Sequence, residues 1–252
     1  MAALHEIVTF LDKELSVASF SDDSNNGLQV ENSGQVRKIC CGVDATLAFF
    51  EAAAERGADL AVCHHGLSWG DSLKRLTHLN YRRVSALMRH DMALYACHLP
   101  LDAHPRLGNN ARLARALGVT RLRPFGEYHG QVIGFAGSLP SPIPYAQFKE
   151  RVRRVTGGDL RSMDFGRPRV RTVAVISGGG SDMLEEAARK GIDVFVSGEP
   201  KLPAYHVARE CGIHAVFAGH YATEVFGVQA LAGLLARRFR VAAEFIAMET
   251  PY

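Results

Sequence analysis

Leu60-Ala61-Val62-Cys63-His64-His65-Gly66 is the stretch on which the reading of this chain turns. Four apolar residues read as a buried strand, and two imidazoles follow at its end. Two more runs have the same form. Leu94-Tyr95-Ala96-Cys97 leads to His98 and Asp102, and Ala215-Val216-Phe217-Ala218 leads to His220 and Glu224. Strands that end in such residues present them at the rim of a sheet, where α/β proteins keep their sites. His64, His65, His220, Asp102 and Glu224 offer more ligands than one zinc needs, and suit two divalent metal ions sharing a carboxylate or water. No thiolate stands at chelating spacing, which favours Fe, Zn, Mn, Co or Ni and a catalytic site over a closed structural zinc.

Each cluster alone also has a plainer reading. Adjacent strand residues point to opposite faces, so His64 and His65 reach one cavity only if the alternation relaxes where the chain turns at Gly66. Pro100 predicts a loop for His98–Asp102. His220 and Glu224, at i and i+4 of an expected helix, share a face that serves a metal or a simple surface hydrogen bond.

Outward from these strands the chain repeats itself. A shift of 134 places sets Arg37–His65 over Arg171–Glu199 without a gap. Seven positions then match: Arg37/Arg171, Glu51/Glu185, Ala53/Ala187, Ala54/Ala188, Gly57/Gly191, Asp59/Asp193 and Val62/Val196. A shift of 122 pairs His98 with His220 and Asp102 with Glu224. The expected fold is α/β, two similar lobes from an internal duplication with the metal site between them. The lobes are read as 1–125 and 126–252, interlocked and without an inserted domain. The spacing of Leu4, Ile7, Val8, Leu11 and Leu15 predicts an opening helix, and Leu139–Pro144 predicts a boundary or edge loop.

At 252 residues the chain can bury a sizeable core, and 47% apolar with 22% charged residues is ordinary for a globular protein. A net charge of +3, with arginine runs that lack interleaved aromatics, argues against nucleic acid as a partner. The five cysteines form no C-x-x-C pair, which predicts buried free thiols and a reducing compartment. No basic or apolar leader is read at Met1–Glu6, and no run approaches the roughly 18 apolar residues of a membrane span. A cytoplasmic protein without a membrane partner is expected.

Other residues are candidates of a second rank. Ser177-Gly178-Gly179-Gly180-Ser181-Asp182 predicts a strand-to-helix turn with Asp182 as N-cap, or a backbone contact for an anion. Glu199 stands where His65 stands in the other half, so Glu199 and His98 are the candidate catalytic acid–base groups. Trp69 is expected to cap the core in preference to walling a pocket.

At these residues the chain resembles the NIF3-like (DUF34) family, whose members are called GTP cyclohydrolase 1 type 2 homologues. The resemblance rests on Asn25-Asn26-Gly27-Leu28-Gln29-Val30, Val43-Asp44-Ala45-Thr46, His64-His65-Gly66-Leu67, His98–Asp102 with Gly108-Asn109-Asn110, Ser197-Gly198-Glu199 and Gly219–Glu224. It implies metal ligands at His64, His65, Asp102, His220 and Glu224 with His98 close by, two α/β lobes, and a ring-shaped hexamer with the metals facing inward. Leu99-Pro100 departs from the Thr-Asn common after the family's histidine. The leading reading is a dinuclear metal-dependent hydrolase acting on a small, nucleotide-like substrate. Two others stand beside it: a metal-binding regulator or interaction scaffold, and a structural metal site.

Overall fold

After a short strand β1 (Ala2–Ala3), helix α1 (Leu4–Glu14) buries Leu4, Ile7 and Leu11, the spacing read as one apolar face. The computed structural model describes residues 1–248 and 250. Strands β2 (Gly27–Val30), β3 (Gln35–Val36) and β4 (Lys38–Asp44) lead to α2 (Leu47–Glu55), β5 (Leu60–His65), α3 (His78–Arg89) and β6 (Ala93–Ala96). A single turn, α4 (Leu99–Asp102), follows where a loop was expected. Pro100 lies in its first turn, where a missing N–H breaks no helical bond.

Next come α5 (Asn109–Ala116), the hairpin β7 (Thr120–Tyr128) and β8 (Gln131–Pro144), α6 (Tyr145–Thr156), β9 (Arg161–Asp164) and β10 (Arg169–Val175). The order closes with α7 (Leu184–Arg189), β11 (Val194–Ser197), α8 (Leu202–Cys211), β12 (His214–Phe217), α9 (His220–Phe239) and β13 (Ala242–Phe245). Leu139–Pro144 is part of β8 and not a boundary. Pro140 and Pro142 fall where the pairing with β10 slips register between Val170 and Thr172, a place where missing N–H groups are tolerated, and Pro144 pairs with Arg169 at the strand's end.

Two compact units result: Met1–Leu101 with Gly227–Met248, and Asp102–Phe226. A division at 125/126 falls inside β7, which is laddered to β8 from Thr120 to Tyr128 and so stays with the second unit. The first unit holds a sheet in the order β13-β4-β5-β6-β2, parallel except for β2. Its core gathers Phe49, Phe50, Ala53, Leu87 and Leu94. The second holds β7-β8-β10-β11-β12-β9, with β10, β11 and β12 parallel. Phe148, Val152, Val173, Val194 and Val216 form its core.

Four of the seven matched pairs, Arg37/Arg171, Ala54/Ala188, Gly57/Gly191 and Asp59/Asp193, do the same physical work in both units. Asp59 Oδ2 accepts the backbone N–H groups of Arg37 (2.7 Å) and Lys38 (3.0 Å). Asp193 Oδ2 accepts those of Arg171 (2.9 Å) and Thr172 (2.8 Å). Both helices stop alike. Gly57 (φ +71°) and Gly191 (φ +68°) take the left-handed conformation, donating to Ala54 and Ala188. The parallel registers then coincide, Ile39 beside Leu60 and Val173 beside Val194. One difference is local: Gly180–Met183 winds as a 3₁₀ turn ahead of α7, so Asp182 is no N-cap but pairs with Lys201.

Cys40, Cys41, Cys63 and Cys97 are buried and outside any disulfide, as expected, while Cys211 is exposed. Burial pushes the Cys40 thiol up to about 11 and raises those of Cys41 and Cys63 as well, which disfavours the reactive thiolate. Among the described residues no helix is long and apolar enough to cross a membrane.

Asp59→Ala leaves two strand N–H groups without their acceptor and is expected to cost about 1–3 kcal/mol at neutral pH by urea unfolding. Burial raises the Asp59 carboxyl, but the N–H groups of Arg37 and Lys38 outweigh it and hold the value below the ordinary 3.8. A lowered folded value means stability fully present above 3.8 and lost as pH falls from there through the lower folded value. The gap between wild type and Asp59→Ala is therefore expected to be flat near neutrality and to shrink in acid. A gap independent of pH would refute the clamp.

Candidate metal centre

In the first unit the parallel register carries His64 and His65 to the end of β5, with His65 level with Asp44 of β4. Both lie within the strand, yet their ring centroids are only 4.6 Å apart. Gly66 makes the turn that follows. A Cβ there would stand 2.5 Å from Ala96 Cβ and from the Gln29 amide, whose oxygen accepts the N–H groups of Leu67 and Ser68. His98 joins from the head of α4, its ring 5.1 Å from His64 and 5.6 Å from His65. One ligand atom from each of the three lies within 4.8 Å of the others, a group able to hold a metal ion.

Each ring is held by its Nδ1. His64 Nδ1 meets the Cys97 carbonyl at 2.9 Å, His65 Nδ1 meets Asp44 Oδ1 at 2.8 Å, and His98 Nδ1 meets Asp22 Oδ1 at 2.9 Å. A carbonyl or carboxylate oxygen only accepts, so hydrogen sits on Nδ1 and the lone pair on Nε2. That is how proteins orient histidines toward a metal and raise their basicity. Asp22 does more than orient His98. It also accepts the N–H groups of Leu99 (3.0 Å) and Ser24 (3.0 Å) and the Asn26 amide (2.9 Å). Burial pushes its carboxyl up, but His98, Asn26 and Ser24 outweigh this and hold it at about 2. Asp22 and Asp44 were assigned no role from sequence. A carboxylate 76 or 21 positions from its histidine carries no spacing signal.

The second unit holds the other candidates. Asp102 is buried, and its Oδ1 accepts Asn109 Nδ2 at 2.9 Å and the Ser177 hydroxyl at 3.1 Å. His220 opens α9 and stands 3.2 Å through Nε2 from Glu224 Oε1, one turn on, while its Nδ1 meets Glu199 Oε1 at 3.1 Å. The Glu224 hydrogen bond raises His220 to about 9 against the opposing effect of burial, and Glu199 adds to the rise. The two carboxylates beside it thus favour the positively charged imidazole. The glycine turn is structural: Gly178 N–H donates to Thr223 Oγ1 (3.0 Å), and Gly178 C=O accepts from Gly198 and Glu199. With that N–H engaged, the turn's expected alternative as an anion contact loses a main donor.

Within the first unit the structure gathers His64, His65 and His98, and within the second it sets Asp102 with Asn109 and Ser177, and His220 with Glu224 and Glu199. His98, read as an acid–base group, stands with the candidate ligands His64 and His65. Glu199 stands behind His220 as Asp44 stands behind His65, the matched position holding the partner in place of the ring. Trp69, expected to cap the core, instead lies half-buried against His65 and His98. Imidazoles and carboxylates with oriented rings fit a divalent transition metal.

The model of the family Duf34/NIF3 (NGG1p interacting factor 3) matches residues 2–251. The chain belongs to the Duf34/NIF3 family. It is 42% identical over 245 residues to the GTP cyclohydrolase 1 type 2 homolog of Deinococcus radiodurans, covering 97% of this chain and 93% of that one. The Archaeoglobus fulgidus protein of the same name is 42% identical over 247 residues, 98% of each. Among solved structures, a protein from Thermus thermophilus matches with a TM-score of 0.92 at 38% identity over 100% of both chains. The Duf34/NIF3 fold is thus the α/β fold described above.

Gly178 has φ +59°, and a Cβ there would run into Glu224 Oε1 and lie 2.9 Å from His220 Nε2. Gly178→Ala in this Duf34/NIF3 protein is expected to lose roughly 1–3 kcal/mol in urea unfolding. Gly179, with φ −83° and 3.5 Å of room, should accept alanine within about 0.5 kcal/mol. Equal losses at both positions would show that the packing against Glu224 is irrelevant.

Proposed function

We propose that this chain is a dinuclear metal-dependent hydrolase, with His64, His65, Asp102, His220 and Glu224 as ligands and His98 as a sixth. The observation that carries the reading is the state of the four histidines, each with Nδ1 against an oxygen acceptor. The trio of the first unit and the His220–Glu224 pair of the second would supply the imidazole and carboxylate donors that this reading needs. Bound divalent ions supply Lewis acidity and bring the pKa of a coordinated water toward roughly 7. The carboxylates of Asp44, Asp22 and Glu199 hold the rings, while Asp102 and Glu224 supply the negative charge.

Glu199 is also the group best placed to move a proton, since half of its side chain stays exposed (51%) while Oε1 contacts His220. The name shared by the curated relatives supports a cyclohydrolase-like opening of a purine ring; a phosphoester or cyclic amide fits the same chemistry. A ring-shaped hexamer and a cytoplasmic location belong to this proposal. The tie between Glu199 and His220 is the one observation that favours the regulator or scaffold, because a carboxylate occupied in orienting a ligand is a weaker base. Glu199→Gln separates the two readings: it should abolish turnover in an enzyme and leave a scaffold working in cells.

The deciding experiment is elemental analysis of wild type beside His65→Ala/Glu224→Ala. About two transition-metal atoms per chain, lost in the double variant, are expected. A protein that takes up no metal even after anaerobic loading would end the hydrolase reading. Chelation is expected to lower Tm while leaving a cooperative transition, because each unit has its own apolar core; outright unfolding would mark the metal as structural.

A further inference from the structure

We propose that Trp69 forms a stacking wall beside the histidine trio, and that the ligand taken there carries a planar aromatic ring. This rests on the trio being the metal site, and gives the site's substrate class a physical basis. Trp69 is the one tryptophan of the chain. Its indole meets His98 edge-on at 5.0 Å and His65 at 5.8 Å between centroids. The ring is not loose: Nε1–H donates to the Gly66 carbonyl at 2.9 Å, and the Trp69 backbone N–H donates to Ser72 Oγ at 2.9 Å. The Gly66 bond ties it to the turn that ends the His64-His65 strand.

The surrounding loop is held equally firmly. Asn25 Nδ2 donates to Ser68 Oγ (2.6 Å) and to the Gly70 carbonyl (2.9 Å), and Ser24 bridges Trp69 across the backbone. The indole is only half-buried and is not one of the residues gathered around Phe49, Phe50, Leu87 and Leu94 in the apolar core of its unit. What it offers is a rigid apolar surface with fixed orientation at the edge of a polar cluster. Such surfaces bind planar rings by stacking, at little cost in conformational freedom. An alkyl or purely phosphorylated ligand would leave that surface unused.

The test loads wild type, Trp69→Phe and Trp69→Leu with Co²⁺ and titrates each by calorimetry with guanosine 5′-monophosphate and with ribose 5-phosphate, which lacks the ring. Co²⁺ absorption reads the metal separately. The expected result is equal Co²⁺ uptake in all three, guanosine 5′-monophosphate binding in wild type and Trp69→Phe, and binding about tenfold or more weaker in Trp69→Leu. Ribose 5-phosphate should bind all three alike, and the nucleotide should quench tryptophan emission in wild type. Undiminished nucleotide binding by Trp69→Leu, no nucleotide binding by wild type, or a preference for ribose 5-phosphate would each overturn the proposal while leaving the metal reading intact. Absence of Co²⁺ uptake by wild type would instead strike the metal reading, and the same nucleotide titration of the metal-free proteins would still judge Trp69.

Discussion

The parallel register between neighbouring strands, pinned by one aspartate in each unit, is the constraint on which the candidate site depends. A parallel ladder has slanted hydrogen bonds and no hairpin to set its alignment. Asp59 and Asp193 supply what a hairpin would, each gripping two successive N–H groups at the matched place beside β4 and β10. With Ile39 set beside Leu60 and Val173 beside Val194, the ends of β5 and β11 are set as well. His64-His65 and Gly198-Glu199 then stand at strand ends by necessity. A slip of one residue would send every strand side chain to the opposite face.

From that register the chemistry follows by anchoring. A histidine at a strand end can rotate, and its two nitrogens are chemically different. Here the Cys97 carbonyl, Asp44 and Asp22 each take one Nδ1–H and so decide which nitrogen carries the lone pair, while His220 meets Glu199 through Nδ1 and Glu224 through Nε2. Asp22 joins this to the backbone, for the same carboxylate that holds His98 also accepts the first N–H of α4. Orientation of an imidazole and capping of a helix are one interaction there. In the second unit glycine plays the equivalent part by subtraction, since Gly178 leaves the space that Glu224 and His220 occupy.

Much of this was legible from residue patterns, and the exceptions have identifiable causes. The strands were readable because fully buried strands are continuous apolar runs, and α1 because its apolar residues keep a helical period. The repeat was readable because it preserves residues that backbone geometry demands, a left-handed glycine and a clamping aspartate. Pro100 misled because proline forbids a helix interior but suits a first turn. Leu139–Pro144 misled because a bulged strand accepts proline where a regular one does not. Asp22, Asp44 and the placement of Trp69 were out of reach, since each acts across a loop whose path no local pattern encodes.

The amino-acid sequence by itself determined the α/β class, the family, and the kind of donor available: imidazole and carboxylate at strand ends, with no cysteine at chelating spacing. Those are properties of residue type and short-range order, which the chain states directly. Tertiary structure alone decided that His98 stands with His64 and His65, that Glu199 and Asp44 act as partners of rings, and that Trp69 faces the histidines. Such roles depend on which groups lie within about 3 Å in space. They are settled only when β6 and the loops around Asp22 and Trp69 have closed around β5.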